Sequence, residues 1–200
     1  MTPMNDPRPT ADWRPLALTL ALAAAAYAVV YRLLPFDTKV YALWPFGAWA
    51  LYSGARLSTR VALPLTIGIF ALTDLLLYRL SQTPVNYLFY PLLGLSVLMG
   101  RGLLARSQAP WRIVAGSVGS YALFFLVSNF AAWLEPALPE YAPRTLESLL
   151  LAYRNGLEFL RMQPGQLDCG LLLSFGLFGA HAYLAKAYFP AERVATGDAR

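Results

Sequence analysis

Val61-Ala-Leu-Pro-Leu-Thr-Ile-Gly-Ile-Phe-Ala-Leu-Thr-Asp74-Leu-Leu-Leu-Tyr78 is an apolar run interrupted by one charge. A run of that length suits a membrane-crossing helix, and a carboxylate at mid-bilayer costs roughly 2.5–3.5 kcal/mol on insertion scales. Such a residue is tolerated where it faces a bundle interior or a wet cavity, which makes Asp74 a functional candidate. A second run, Leu167-Asp168-Cys-Gly-Leu-Leu-Leu-Ser-Phe-Gly-Leu-Phe-Gly-Ala-His181-Ala-Tyr-Leu184, carries Asp168 in the same way.

The surroundings agree with a membrane chain. Of the 200 residues, 58% are hydrophobic and 14% charged, and the mean hydropathy is +0.47; soluble domains carry about 45–50% apolar and about 25% charged residues. The fold expected is all-α: a polytopic membrane protein of about six transmembrane helices in one compact bundle. Its candidate spans are 15–34, 40–57, 61–78, 85–104, 113–134 and 167–188, each near the 20 residues a crossing needs. One transmembrane domain, 15–188, then lies between polar tails at 1–14 and 189–200. Pro45, Gly47 and Gly54 interrupt the second segment, which reads as a short or broken span. The first run has some character of a secretory signal, but its length and continuation into further apolar sequence favour an uncleaved helix. In 143–161, Leu146, Leu149, Leu150, Tyr153, Leu157 and Leu160 recur at helical spacing opposite Arg144, Glu147, Arg154, Glu158 and Arg161. That pattern predicts an interfacial helix before the last span.

The formal net charge of +5 does not indicate nucleic acid, because the arginines are dispersed between apolar segments. They report topology instead. With the amino terminus in the cytoplasm, Arg8, Arg14, Arg56, Arg60, Arg101, Arg106, Arg112, Lys186, Arg193 and Arg200 fall inside, against Arg32, Lys39, Arg79, Arg144, Arg154 and Arg161 outside. Both termini are therefore expected on the cytoplasmic side of a bacterial inner membrane, provided that 40–57 crosses it. In that topology Asp74, Asn129 and Asp168 reach similar depth in the outer half of the bilayer. Trp133 follows Asn129 by one helical turn, and Asn86 and Arg154 stand at the outer ends of neighbouring elements. These six residues define the expected substrate pocket, polar with an aromatic wall, for an unknown small molecule that is cationic or donates hydrogen bonds, or for one that meets a protonated carboxyl. The plainer reading has the aspartates capping helices or pairing with Arg79, Arg154 or Arg161.

His181 is the single histidine and Cys169 the single cysteine. Neither has partners at ligand spacing, so no metal or cofactor is expected. With no catalytic triad order, nucleophile elbow or phosphate-cradling glycine loop, an enzyme is not expected either.

Several stretches occur together in a family-like order: Arg32-Leu-Leu-Pro35, Ala42-Leu-Trp-Pro-Phe-Gly47, Thr73-Asp-Leu75, Phe124-Phe-Leu-Val-Ser-Asn-Phe130 with Trp133, and Gly176-Leu-Phe-Gly179. In these the chain resembles an uncharacterised bacterial family of candidate transport proteins, itself similar to the substrate-binding S components of energy-coupling-factor (ECF) vitamin transporters. Two outer-loop stretches depart from the family pattern, at Phe36-Asp-Thr-Lys-Val40 and Leu157-Glu-Phe-Leu-Arg161, so ligand identity does not carry over. The resemblance implies a subunit that captures a small molecule from outside and docks on a transmembrane coupling subunit served by ATPases. In S components small residues on the first helix make that contact, and Ala17, Ala21 and Ala25 have the spacing here. The alternatives are a membrane scaffold of an envelope-assembly complex, with a dry bundle centre, and a stand-alone proton-coupled carrier using Asp74 or Asp168.

Overall fold

The computed structural model of the chain describes residues 14–34, 45–83, 85, 87–135, 138–162 and 166–189, without the side chains of 166–169. Among them are seven α-helices and no strand: α1 (Pro15–Leu33), α2 (Phe46–Arg56), α3 (Thr59–Ser81), α4 (Phe89–Leu104), α5 (Pro110–Leu134), α6 (Leu146–Met162) and α7 (Gln166–Ala187). A single 3-10 turn, Pro139–Tyr141, lies between α5 and α6.

Local chemistry sets several helix ends. Pro15 and Pro110 occupy the first turn of α1 and α5, where the missing N–H has no helical partner to lose. Gln82 closes α3 in the left-handed region, at φ 53°, with its N–H donating to the Tyr78 carbonyl. At the start of α6 the Ser148 N–H donates to Thr145 Oγ1 and the Thr145 N–H to Ser148 Oγ, a reciprocal cap.

Helices α1, α3 and α5 are long and apolar enough to cross a membrane, and α4 is a shorter apolar helix of 16 residues. Six spans are not confirmed, and the second segment, expected as a short or broken span, is a short helix in its described part. α2 has 11 residues, about 16 Å of axis, against the roughly 30 Å of a bilayer's hydrocarbon core. Ten of these residues are buried, Gly47 being the exception, and α2 touches α1, α3, α4, α5 and α7. It is an internal axis around which the longer helices pack.

Its closest neighbour is α4. A Cβ on Gly54 would overlap the carbonyl oxygen of Val97, and a Cβ on Gly100 would overlap that of Leu51. The two backbones therefore meet at a reciprocal pair of glycines, the small-residue device that lets apolar helices gain dispersion contact. Around this crossing Phe46, Trp49, Phe70, Val97 and Leu104 form the core. On α1, Ala17, Ala21, Ala25 and Ala28 belong to the same cluster and are buried within the chain. Buried hydroxyls link helices across it, Ser96 with Ser120 (3.1 Å) and Ser117 with Ser174 (2.8 Å).

Gly54→Leu is expected to separate α2 from α4 and to lower the unfolding midpoint, by the roughly 1–3 kcal/mol or more of an overpacked core. Gly68→Ala, on α3 with nothing within 4 Å of the added Cβ, is the control and is expected to be neutral or slightly stabilising. Thermal unfolding of the two purified variants checks both.

Candidate functional site

Asp74 is buried on α3 and reaches two neighbouring helices. Its Oδ1 pairs with Nη2 of Arg32 at the end of α1, and its Oδ2 accepts a 2.7 Å hydrogen bond from the Tyr90 hydroxyl on α4. The Arg32 guanidinium lies 3.7 Å from the centre of the Phe70 ring and 5.8 Å from that of Phe46, so two aromatic faces share its charge. Removing either charged partner strands the other in a low-dielectric interior, which is why a pair of this kind is costly to break. The carboxylate thus joins α1, α3 and α4. Its partner is Arg32, not the Arg79, Arg154 or Arg161 considered from sequence.

A larger hollow lies elsewhere. Between α5 and α6 a space of about 780 Å³ is lined by Val118, Tyr121, Ala122, Phe124, Phe125, Leu126, Ser128 and Asn129 on one side and by Asn155, Gly156, Leu157, Phe159 and Leu160 on the other, with Tyr141 from the 3-10 turn. Small-molecule sites fall in the range of about 300–1,000 Å³. Tyr121 and Phe124 also border a second cavity of about 20 Å³, against Phe46, Phe70 and Phe89, room for about one water. Phe124 stacks on Phe89 with ring centres 5.6 Å apart. These rings stand between the hollow and the side of the bundle where Arg32 covers Phe70.

Polar groups gather at one part of the hollow. Asn129 donates its amide to the Phe125 carbonyl of its own helix (2.8 Å) and rests where a Cβ on Gly156 would be. Asn155 Nδ2 donates to the Tyr141 hydroxyl (3.3 Å). Tyr153 ties α6 to α5 through the Leu126 carbonyl (3.1 Å). Among the described residues no charged side chain lines the hollow.

Of the expected pocket residues, Asn129 lines this hollow. Asp74 does not, being held by Arg32 and Tyr90, so the expected meeting of Asp74 and Asn129 around one space is corrected. Trp133 is not a wall either: its Nε1 donates to Ser148 Oγ (2.9 Å) and fastens α5 to the cap of α6. Arg154 is exposed on α6. Asn86 lies outside the described residues, as does the side chain of Asp168, whose backbone falls in the first turn of α7. Ala17, Ala21 and Ala25, expected to face a partner, are occupied inside the chain's own core. Reading the sequence missed Tyr141, Asn155 and Gly156; for the last two the signal was the amphipathic period of α6, which marked a boundary face without showing what it covers, and Tyr141, in the 3-10 turn, had none.

A second polar cluster sits at the other end of α2. Arg56 is 1% exposed, and its Nη1 donates to the Leu104 carbonyl at the end of α4 (3.2 Å). With the Gln108 amide oriented to satisfy its neighbours, Arg56 Nη2 also donates to it (2.9 Å), and Gln108 donates to the Phe178 carbonyl (3.2 Å). Beside it the Tyr52 hydroxyl and His181 Nδ1 share a 2.8 Å hydrogen bond, both side chains fully buried. Among the described residues no group of three or more histidine, cysteine, aspartate or glutamate side chains is placed to hold a metal ion.

The chain belongs to a family of unknown function (DUF6580), which matches residues 12–193. No curated protein and no solved structure matches it.

A double-mutant cycle checks the Arg32–Asp74 pair. Asp74→Leu alone is expected to destabilise the protein by about 3–5 kcal/mol, and Arg32→Leu/Asp74→Leu by clearly less than the sum of the two single changes. Additive losses in reversible unfolding would mean that the pair is not coupled.

Proposed function

We propose that this DUF6580 protein is a membrane-embedded substrate-binding subunit of the S-component kind, which takes a small molecule from the outer side into the hollow between α5 and α6. The observation that carries this reading is the hollow itself: its size, its aromatic walls and the polar group formed by Asn129, Asn155 and Tyr141. In this reading the chain sits in the bacterial inner membrane with both termini cytoplasmic, because α2, although short and packed inside the bundle, carries the chain back from the Arg32 end of α1, where Arg32 lies over Phe46, to the Arg56 end beside Leu104. That places Asn129 and the hollow in the outer half.

Transport then requires a coupling subunit and ATPases. Because Ala17, Ala21 and Ala25 are buried, the partner meets α1 on its other side, where Leu22 and Val30 are exposed. The ion pair with Arg32 argues against Asp74 as the proton site of a stand-alone carrier. One observation favours the scaffold reading: Asp74, a charge inside an apolar run, serves contacts between helices and none with the hollow.

Thermal unfolding of the purified protein across a metabolite library separates these readings. A binding subunit is expected to yield a ligand that stabilises it by about 2.7 kcal/mol at one hundred times Kd. That gain should vanish in Ala122→Trp, which fills the hollow, and weaken in Asn129→Ala. Stabilisation indifferent to both changes would remove the hollow from the proposal, and co-purification with envelope-assembly proteins in place of ATPases would favour the scaffold.

A further inference from the structure

We infer that the hollow between α5 and α6 accepts a neutral single-chain amphiphile that enters sideways from the surrounding bilayer, an inference that rests on the reading of this hollow as the binding site. The route follows from α5. Val118, Ala122 and Leu126 recur every four residues and share one helical face, all three are exposed, and all three line the hollow. α5 is long and apolar enough to cross a membrane, so the exposed face of such a helix meets lipid. On α6, Leu157 and Leu160 line the same space and are exposed too. The mouth is therefore framed by apolar side chains from both helices, and its rim is continuous with the lipid-facing surface.

The chemical class follows from where polarity sits. From Val118 to Asn129 the lining runs about 16 Å along α5, apolar over its first part except for the Tyr121 hydroxyl and polar at Ser128 and Asn129. Asn155 and Tyr141 join that polar end through their mutual hydrogen bond, and Gly156 brings α6 against Asn129. Amide and hydroxyl groups both donate and accept, which suits hydroxyl or ester oxygens. A charged headgroup would enter a low-dielectric site with no countercharge among its described lining residues, at a cost that neutral oxygens avoid. An apolar tail along Val118, Ala122 and Leu126 with a neutral oxygenated head at Asn129 matches both ends.

The test uses the full chain in phosphatidylcholine nanodiscs with a monoacylglycerol that carries a photoreactive diazirine in its acyl chain. Crosslinks are expected to concentrate in residues 118–126 and 157–160, and to fall about tenfold or more when unlabelled monoacylglycerol is in excess. They should fall likewise in Ala122→Trp, while background labelling at the lipid-exposed Leu172 on α7 stays unchanged. Equal labelling over α1, α3 and α7 without competition would mean lipid contact only and would overturn the inference. So would competition by a fatty acid anion as effective as that by the neutral lipid. If a charged water-soluble metabolite stabilises the wild-type protein but not Ala122→Trp, and no hollow-specific crosslink forms, the binding-site reading survives and the ligand class fails. If neither effect is seen, both fail.

Discussion

The backbone-close crossing of α2 and α4 governs the arrangement of the other helices. Gly54 against Val97 and Gly100 against Leu51 bring two main chains together where any side chain would hold them apart. An 11-residue helix with ten buried residues is the result, and it occupies the middle of the bundle. A centre filled by α2 leaves room there for about one water beside Phe46, whereas the larger space opens peripherally, between α5 and α6. The location of the candidate site is thus a consequence of how the interior is packed.

A central helix carrying polar side chains also has costs. Trp49 Nε1, Ser53 Oγ and Arg56 Nε on α2, and Thr66 Oγ1 on α3, are buried without hydrogen-bond partners among the described residues; such groups typically cost about 1–3 kcal/mol each. Dispersion along the glycine crossing and aromatic contacts such as Phe46 on Phe70, at 5.2 Å and nearly perpendicular, oppose that cost. The buried polar bonds between helices distribute it further: Tyr52 to His181, Ser96 to Ser120, Ser117 to Ser174 and Arg32 to Asp74 each join two elements.

Much of this was legible in the residues. The long apolar runs became α1, α3 and α5, and the amphipathic period over 143–161 became α6, at Leu146–Met162. The role of 40–57 was not legible, because hydropathy does not distinguish burial by lipid from burial by protein: a helix apolar on all sides suits either. Its glycines read as breakers, although one of them makes the α4 contact. The cost of Asp74 was visible, but Arg32 lies 42 residues away in the chain, and no spacing rule shows which helices adjoin. Trp133 shares a helical face with Asn129, yet the cap of α6 captures it through Ser148; spacing names a face without naming what stands opposite.

A protein-filled centre and a lipid-accessible edge differ most directly in the reactivity of thiols placed at each. In a Cys169→Ser background, Ala50→Cys on α2 and Ala122→Cys on α5 are compared for labelling by a membrane-permeant apolar maleimide in intact membranes. Rapid reaction at position 122 and protection at position 50 are the expected results. Equal reactivity, or faster reaction at 50, would contradict a packed α2 axis and place the accessible space in the middle of the bundle.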